Sequence, residues 1–213
     1  MGADSIPIFR VTDNPAVLVE EILHYREDDD ERDVLLSMLH ARGGLDVFIL
    51  ARGLCFSAIP NERLAGIQIL RELGRPEFLF ARETVALVRE LISREDNDRV
   101  AAWMVTVLTW RGTEEDLPLV LSYAYDHRSD VREAVAHSVT NLATDIRVVP
   151  ALVFLSNDQS DRDTRSYATY SLSEEVDIDS AEIIDALRVR LDDDDSVVRM
   201  IAQRGLARRG YGP

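Results

Sequence analysis

The side chains best suited to chemistry are few and scattered. The 213-residue chain has four histidines, His24, His40, His127 and His137, and a single cysteine, Cys55. A zinc site needs clustered nitrogen and sulfur ligands, and the sequence has no close Cys/His cluster. Two acidic runs, Glu27–Asp33 and Asp192–Asp195, invite comparison with calcium loops, but neither has the fixed ligand spacing and turn glycine such loops require. No glycine-rich phosphate loop, Ser/His/Asp arrangement or Cys/His signature is recognisable. Cys55 lies inside the apolar run DVFILARGLCFSA, which predicts a small buried hydrophobe rather than a nucleophile. With one cysteine there is no internal disulfide. The expected sets of catalytic residues, metal ligands and cofactors are therefore empty, although catalytic groups can converge from distant positions.

Charge narrows the partners. The formal net charge is −15, from 39 acidic and 24 basic residues, and every basic residue is arginine. High-GC codon usage accounts for the absence of lysine; exclusion of lysine-directed modification is the other reading. Phosphate binding is driven by a basic surface, so the acidity argues against direct nucleic-acid contact and toward a basic protein partner. No apolar run approaches the roughly 20 residues that cross a bilayer. The start, MGADSIPIFR, lacks the pattern of a secretory signal, and Ile6 stands where a myristoylation site has Ser or Thr. The expectation is a soluble, cytoplasmic protein that does not enter membranes; its oligomeric state is open.

The elements that would position any site are repeated. The segment VREAVAHSVTNLA, from Val131, places apolar residues at offsets 0, 3, 4, 8 and 11, one stripe of an α-helix. The same frame starts at Glu31, Glu62, Val100, Thr164 and Val198, at intervals of 31 to 38 residues. Offset 8 is Leu39, Leu70, Leu108, Val139, Leu172 and Leu206. Offset 12 is Gly43, Gly74, Gly112, Ala143, Val176 and Gly210; glycine suits the residue past a helix end, where positive φ is wanted. Offset 1 is arginine in five of the six copies: Arg32, Arg63, Arg132, Arg165 and Arg199. Between these segments lie further apolar stretches, from Pro15, Leu45, Pro76, Glu114, Val148 and Ala181, each read as the first helix of a hairpin. Pro15 and Pro76 suit a first helical turn.

A period near 33 residues, two helices per unit and an Asp-x-Val-Arg start to the second helix, as in Asp130-Val131-Arg132 and Asp195–Arg199, resemble HEAT repeats, and most closely the bacterial HEAT-like class named after phycobilisome lyases. The resemblance spans about residues 13–210. It implies an all-α fold, an α-solenoid of about six HEAT-like helical hairpins (an α/α superhelix). The corresponding organisation is an N-terminal extension over 1–12, one array over 13–210 and a tail over 211–213. One hairpin cannot bury its apolar stripe, whereas stacked hairpins close a continuous core.

The repeat assigns roles to the motifs. Both acidic runs precede a second helix, where aspartate caps free N–H groups and complements the helix dipole; Asp130 and Asp161 sit in the same turn. In proteins that resemble this one, the Val-Arg arginine pairs with an aspartate near the neighbouring turn, the role expected for Arg32, Arg63, Arg132, Arg165 and Arg199. A dimetal hydroxylase on this scaffold needs His-Glu pairs, but Tyr25, Ala41, Arg128 and Ser138 follow the four histidines. HEAT-like DNA glycosylases use a basic concave face, which the charge contradicts; Trp103 is placed in the core and Trp110 at its edge. His24 and His40 fall near helix ends, where a cation is favourable.

In HEAT-like arrays the second helices line the concave face, and offsets 2, 6 and 9 point into it. The candidate binding residues are Gln68, Arg71, Thr106, Trp110, Glu133, His137, Tyr170 and Arg204. The leading expectation is a non-catalytic protein-binding scaffold, in its sharpest form an acidic immunity or inhibitor protein that neutralises a basic toxin or nuclease. The alternative is a lyase-like or small-molecule enzyme working in the groove. A closed pocket with convergent titratable groups favours the enzyme, and an open, shallow groove favours the scaffold.

Overall fold

The computed structural model describes residues 14–139, 145–178 and 180–212. The N-terminal extension over 1–12, Thr140, Ala143 and Pro213 lie outside the described residues. Among those described, the secondary structure is helical and contains no strand. The helices are α1 (Pro15–Ile22), α2 (Asp30–Arg42), α3 (Gly44–Leu54), α4 (Pro60–Glu72), α5 (Ala81–Leu91) and α6 (Asp98–Arg111). They continue with α7 (Leu117–Ser122), α8 (Ser129–Ser138), α9 (Val148–Leu155), α10 (Arg162–Tyr170), α11 (Ala181–Arg190) and α12 (Ser196–Arg208). The even-numbered helices carry the recurring frame.

Helix starts follow local chemistry. Asn14 accepts from the Ala16 N–H at 3.0 Å, ahead of Pro15 in the first turn of α1. Asp161 caps α10 by accepting from the N–H groups of Asp163 and Thr164, and Asp195 caps α12 by accepting from those of Val197 and Val198. These aspartates satisfy amides that the helix itself leaves unpaired. Asp29 departs from this pattern: it accepts from the Arg26 N–H and makes no side-chain cap on α2.

Two first helices begin later than their apolar runs predict. Residues 76–80 are not helical, and Phe78 and Phe80 hold positive φ of 53° and 61°. The loop carries Leu79 onto Gly74 and stacks Phe80 on Phe48 at 4.7 Å. The Gly74 N–H donates to the His40 carbonyl at 2.8 Å, joining the ends of α2 and α4. Similarly, Glu114–Asp116 forms a 3-10 turn and α7 starts at Leu117. Gly43, Gly74 and Gly210 have positive φ, but Gly112 has a φ of −70°. A Cβ at Gly112 would lie 2.7 Å from Asp116 Oδ2, so close approach explains that glycine.

The chain divides into two compact units, one running to Leu87 and the other from Val88. In the first unit, α1 packs on α2 and α3 on α4, with α1 against α3 and α2 against α4. In the second, α6, α8, α10 and α12 pack in succession, while α9 and α11 touch each other and their partners α10 and α12. Offset 8 of the frame is core throughout: Leu39, Leu70, Leu108, Val139, Leu172 and Leu206 are all buried, whereas at offset 3 Val34 and Tyr167 stay exposed. Each buried side chain contributes roughly 1.5–3 kcal/mol by leaving water. Trp103, which the frame puts in the core, is half-buried, because α6 turns Ala101 and Val105 inward instead.

The arginines at offset 1 tie turns to helices. Arg63, Arg132, Arg165 and Arg199 each donate through Nη1 to a carbonyl in the turn before their own helix, those of Ser57, Asp126, Asp158 and Asp193. Two also reach the next hairpin. Arg132 Nε lies 2.5 Å from Asp158 and its Nη2 reaches Ser160, while Arg165 bridges to Asp193 at 3.2 Å and to Asp194 at 3.0 Å. Arg32 is different: it is 1% exposed, and none of its three guanidinium nitrogens has a hydrogen-bond partner among the described residues. The turn ahead of the next second helix in its unit holds Ser57, two residues before the cap Ile59, where Asp193 stands before Asp195. Ser57 accepts from the Ile59 N–H, as Asp193 does from the Asp195 N–H, but brings no charge.

Removing one partner of a buried ion pair costs about 3–5 kcal/mol, whereas replacing an unpaired buried charge with an apolar side chain removes a penalty. Arg132→Met therefore lowers stability by that amount, and Arg32→Met leaves it unchanged or raises it; urea unfolding of both variants gives the comparison. Equal losses in the two would overturn this account.

Burial alone would raise the Asp158 carboxyl. The hydrogen bonds from Arg132, from the Ser160 hydroxyl and N–H and from the Asp161 N–H outweigh it and hold the group at about 2, against an ordinary 3.8. The folded value is depressed, so the stability it confers is complete above the unfolded value and is lost as pH falls from about 4 to about 2. The stability difference between the native chain and Asp158→Asn is expected to be largest above pH 5 and to shrink across that window in acid titrations followed by circular dichroism.

Candidate protein-binding face

The second unit presents one continuous row. Packing of α6, α8, α10 and α12 turns the residues at offsets 2 and 6 outward: Thr106, Glu133 and Ser166 are half-buried, and His137, Tyr170, Met200 and Arg204 are exposed. Trp110 borders the row at 47% exposure. Offset 9 faces inward where it is described in the middle of this row, since Thr109 and Ser173 are buried. In the first unit the frame is rotated. Gln68, on α4, is 5% exposed; its side-chain amide donates to Glu27, and its backbone carbonyl faces His40 Nε2 at 3.0 Å. Arg71 is half-buried and pairs with Glu72. His40 is not the helix-end cation expected from its position: burial lowers its pKa, outweighing the hydrogen bond to the Gln68 carbonyl.

The row has a concave centre. His137 on α8, Ser166, Tyr167 and Tyr170 on α10, Ser171 and Glu175 beyond it, and Ile201 on α12 line a cavity of about 420 Å³. Its mouth is open, since Tyr167 and Tyr170 remain 39% and 42% exposed. The edge of the His137 ring meets Tyr167 at 4.9 Å between centroids, the tilted geometry aromatic rings prefer. The Glu175 carboxylate beside it raises the Tyr170 phenol pKa.

Glu174 and Glu175 are brought to this rim by an irregularity that the repeat frame does not contain. After α10 the backbone widens into a π-turn over Ser171–Glu175, a form frequent at functional sites. Helix α12 holds it open. Gly205 lets α12 approach so closely that a Cβ there would lie 2.3 Å from Ser173 Oγ. The Ser173 hydroxyl donates to the Ile201 carbonyl at 3.0 Å. Arg209 donates to the carbonyls of Leu172, Ser173 and Val176 at 2.7, 2.9 and 2.7 Å. These contacts take up the acceptors that a widened turn releases. Arg204 pairs with Glu174 at 3.2 Å. The sequence signal for all this was slight: glycine inside a helical pattern at 205 and a doubled arginine at its end.

The electrostatics of the face are unbalanced. Burial raises the Glu133 carboxyl pKa, and Asp161, Asp163 and Asp130 raise it further against the opposing charge of Arg99. A half-buried carboxylate among three others favours a cation nearby. Among the described residues, no group of three or more His, Cys, Asp or Glu is placed to hold a metal ion, and no helix is long and apolar enough to cross a membrane.

Residues 87–173, which contain α6, α8 and α10, match the family described as HEAT repeats. The X-ray structure of the Escherichia coli protein YibA is similar to this chain at a TM-score of 0.73 and 21% identity, covering 95% of this chain and 78% of that one. No curated protein matches the sequence. HEAT repeats generally serve as scaffolds for protein interaction. The likeness to YibA is a likeness of fold, an all-α repeat solenoid, and the match to HEAT repeats is confined to residues 87–173.

Proposed function

We propose that the chain is a non-catalytic scaffold that binds a basic protein through the outward row of α6, α8, α10 and α12. The observation that carries this reading is the outward row itself, on which the Glu133 carboxylate is half-buried among the charges of Asp130, Asp161 and Asp163. In the free protein the Glu133 charge is held against burial and three neighbouring aspartates; a cationic partner relieves that cost. The mixed aromatic and polar row supports the same reading, since interface cores favour aromatic residues and arginine. The chain charge of −15 adds long-range attraction for such a partner. In its sharpest form, the chain is an inhibitor of a basic toxin or nuclease, with its acidic surface standing in for the polyanion that enzyme binds. The open mouth of the cavity favours a scaffold over a groove enzyme.

The immobilised chain is expected to capture a basic protein from its native host, and the purified pair to dissociate progressively as salt rises from 50 to 500 mM, because exposed charge pairs are screened. An acidic partner, or one indifferent to salt, would overturn the reading.

Glu133→Gln separates binding from stability. The folded pKa is raised, so the charged form is disfavoured at neutral pH and neutralisation relieves that penalty. The variant is expected to melt about 1–2 °C higher at pH 7, with the gain vanishing below pH 4, yet to bind the basic partner more weakly. A lower melting temperature at pH 7, or unchanged binding, would sink the assignment of Glu133.

A further inference from the structure

We infer that the cavity between α8, α10 and α12 receives one arginine side chain, donated by the basic partner; this rests on the reading of the row as a surface for a basic protein and specifies its anchor. Three features of the cavity define the occupant. Its lining includes Tyr167 and Tyr170, aromatic rings of the kind whose faces attract cations and stack on planar groups, with His137 packed against Tyr167. Its rim carries Glu175, which has no ion-pair partner among the described residues; its neighbour Glu174 is already paired with Arg204. Its volume of about 420 Å³ is at the small end of ligand pockets, suited to one side chain rather than to a large cofactor.

The chemistry favours arginine over lysine. A guanidinium is flat, so it stacks on a tyrosine face while its edge forks to a carboxylate; an ammonium is a strongly hydrated point charge that does neither as well. Glu175 is held in place because the π-turn that carries it is clasped by Arg209, which donates to the Leu172, Ser173 and Val176 carbonyls. Glu133 lies one helical turn before His137 on α8, so the row adds negative charge beside that of Glu175. This site therefore needs little rearrangement to bind, and preorganisation lowers the cost of association.

The probe is a pair of capped tripeptides, Gly-Arg-Gly and its isosteric neutral analogue Gly-citrulline-Gly, titrated into the full chain and followed by NMR at the His137, Tyr167 and Tyr170 rings. Saturable shifts are expected at these rings with the arginine peptide, and binding weaker by about ten-fold or more with citrulline, since the charge is lost and the shape is kept. The lysine analogue should fall between the two. Glu175→Gln and Tyr170→Phe should each weaken the arginine peptide, with the unchanged circular dichroism of Tyr170→Phe showing that the fold is intact. Equal shifts from arginine and citrulline, or shifts confined to other surfaces, would overturn the arginine pocket. The wider reading is tested apart from it: if the whole basic partner still binds with salt dependence and is weakened by Glu133→Gln while the peptides do not compete, the row binds the partner and the pocket is not its anchor. If neither the partner nor the peptide binds, both fail.

Discussion

A guanidinium withdrawn from water must find acceptors within the protein, and in the second unit it finds them on two sides. Arg132 and Arg165 hold a carbonyl of their own turn with one nitrogen and the carboxylate of the next hairpin with the others. The carboxylates are themselves fixed by backbone amides: Asp158 by Ser160 and Asp161, Asp193 by Asp195. Each arginine is thus a strut that sets the distance between one second helix and the next. The helices are short, and apolar packing alone tolerates sliding; a forked, charge-assisted bond does not. Because α8, α10 and α12 are held at fixed separation, their outward residues line up as a row and the gap between them becomes a cavity of definite shape.

Arg32 shows what the strut requires. It has the same place in its helix and is buried as deeply, but the turn that would supply its carboxylate has Ser57, so its nitrogens go without partners among the described residues. The arginine column is therefore not uniform in energy: the same residue is a staple in one unit and a liability in the other, and the difference lies in a single side chain of the facing turn.

The outward row of the second unit depends equally on a break in regularity. A perfect repeat would end α10 in an ordinary cap. Here the close approach of α12 at Gly205 and the four carbonyl contacts made by Arg209, including that of Gly205 itself, widen the chain into a π-turn. That widening brings Glu174 and Glu175 to the rim beside Tyr170. On the same row, burial and then Asp161, Asp163 and Asp130 raise the Glu133 carboxyl pKa.

Much of this was legible in the residues. A stripe at helical spacing, recurring at near-constant intervals, determines that the chain forms helical hairpins and which side of each second helix is apolar, because burial of that stripe has no other regular solution. The aspartates before α10 and α12 announce themselves as caps by type and position, and the fold class follows from their recurrence. What the tertiary structure alone decided is the rotation of each helix and the partners across each gap. Gln68 and Trp103 sit where the frame does not put them, since the facing helices, absent from any local pattern, choose which neighbour of the stripe is covered. Phe78 and Phe80 read as the start of a helix and are held in a left-handed loop by contacts with Gly74 and Phe48. The cavity, with Glu175 set against Tyr170, exists only because residues 137, 167, 175 and 201 meet in space; a periodic sequence specifies what each hairpin buries, and only the packing between hairpins decides what they leave open.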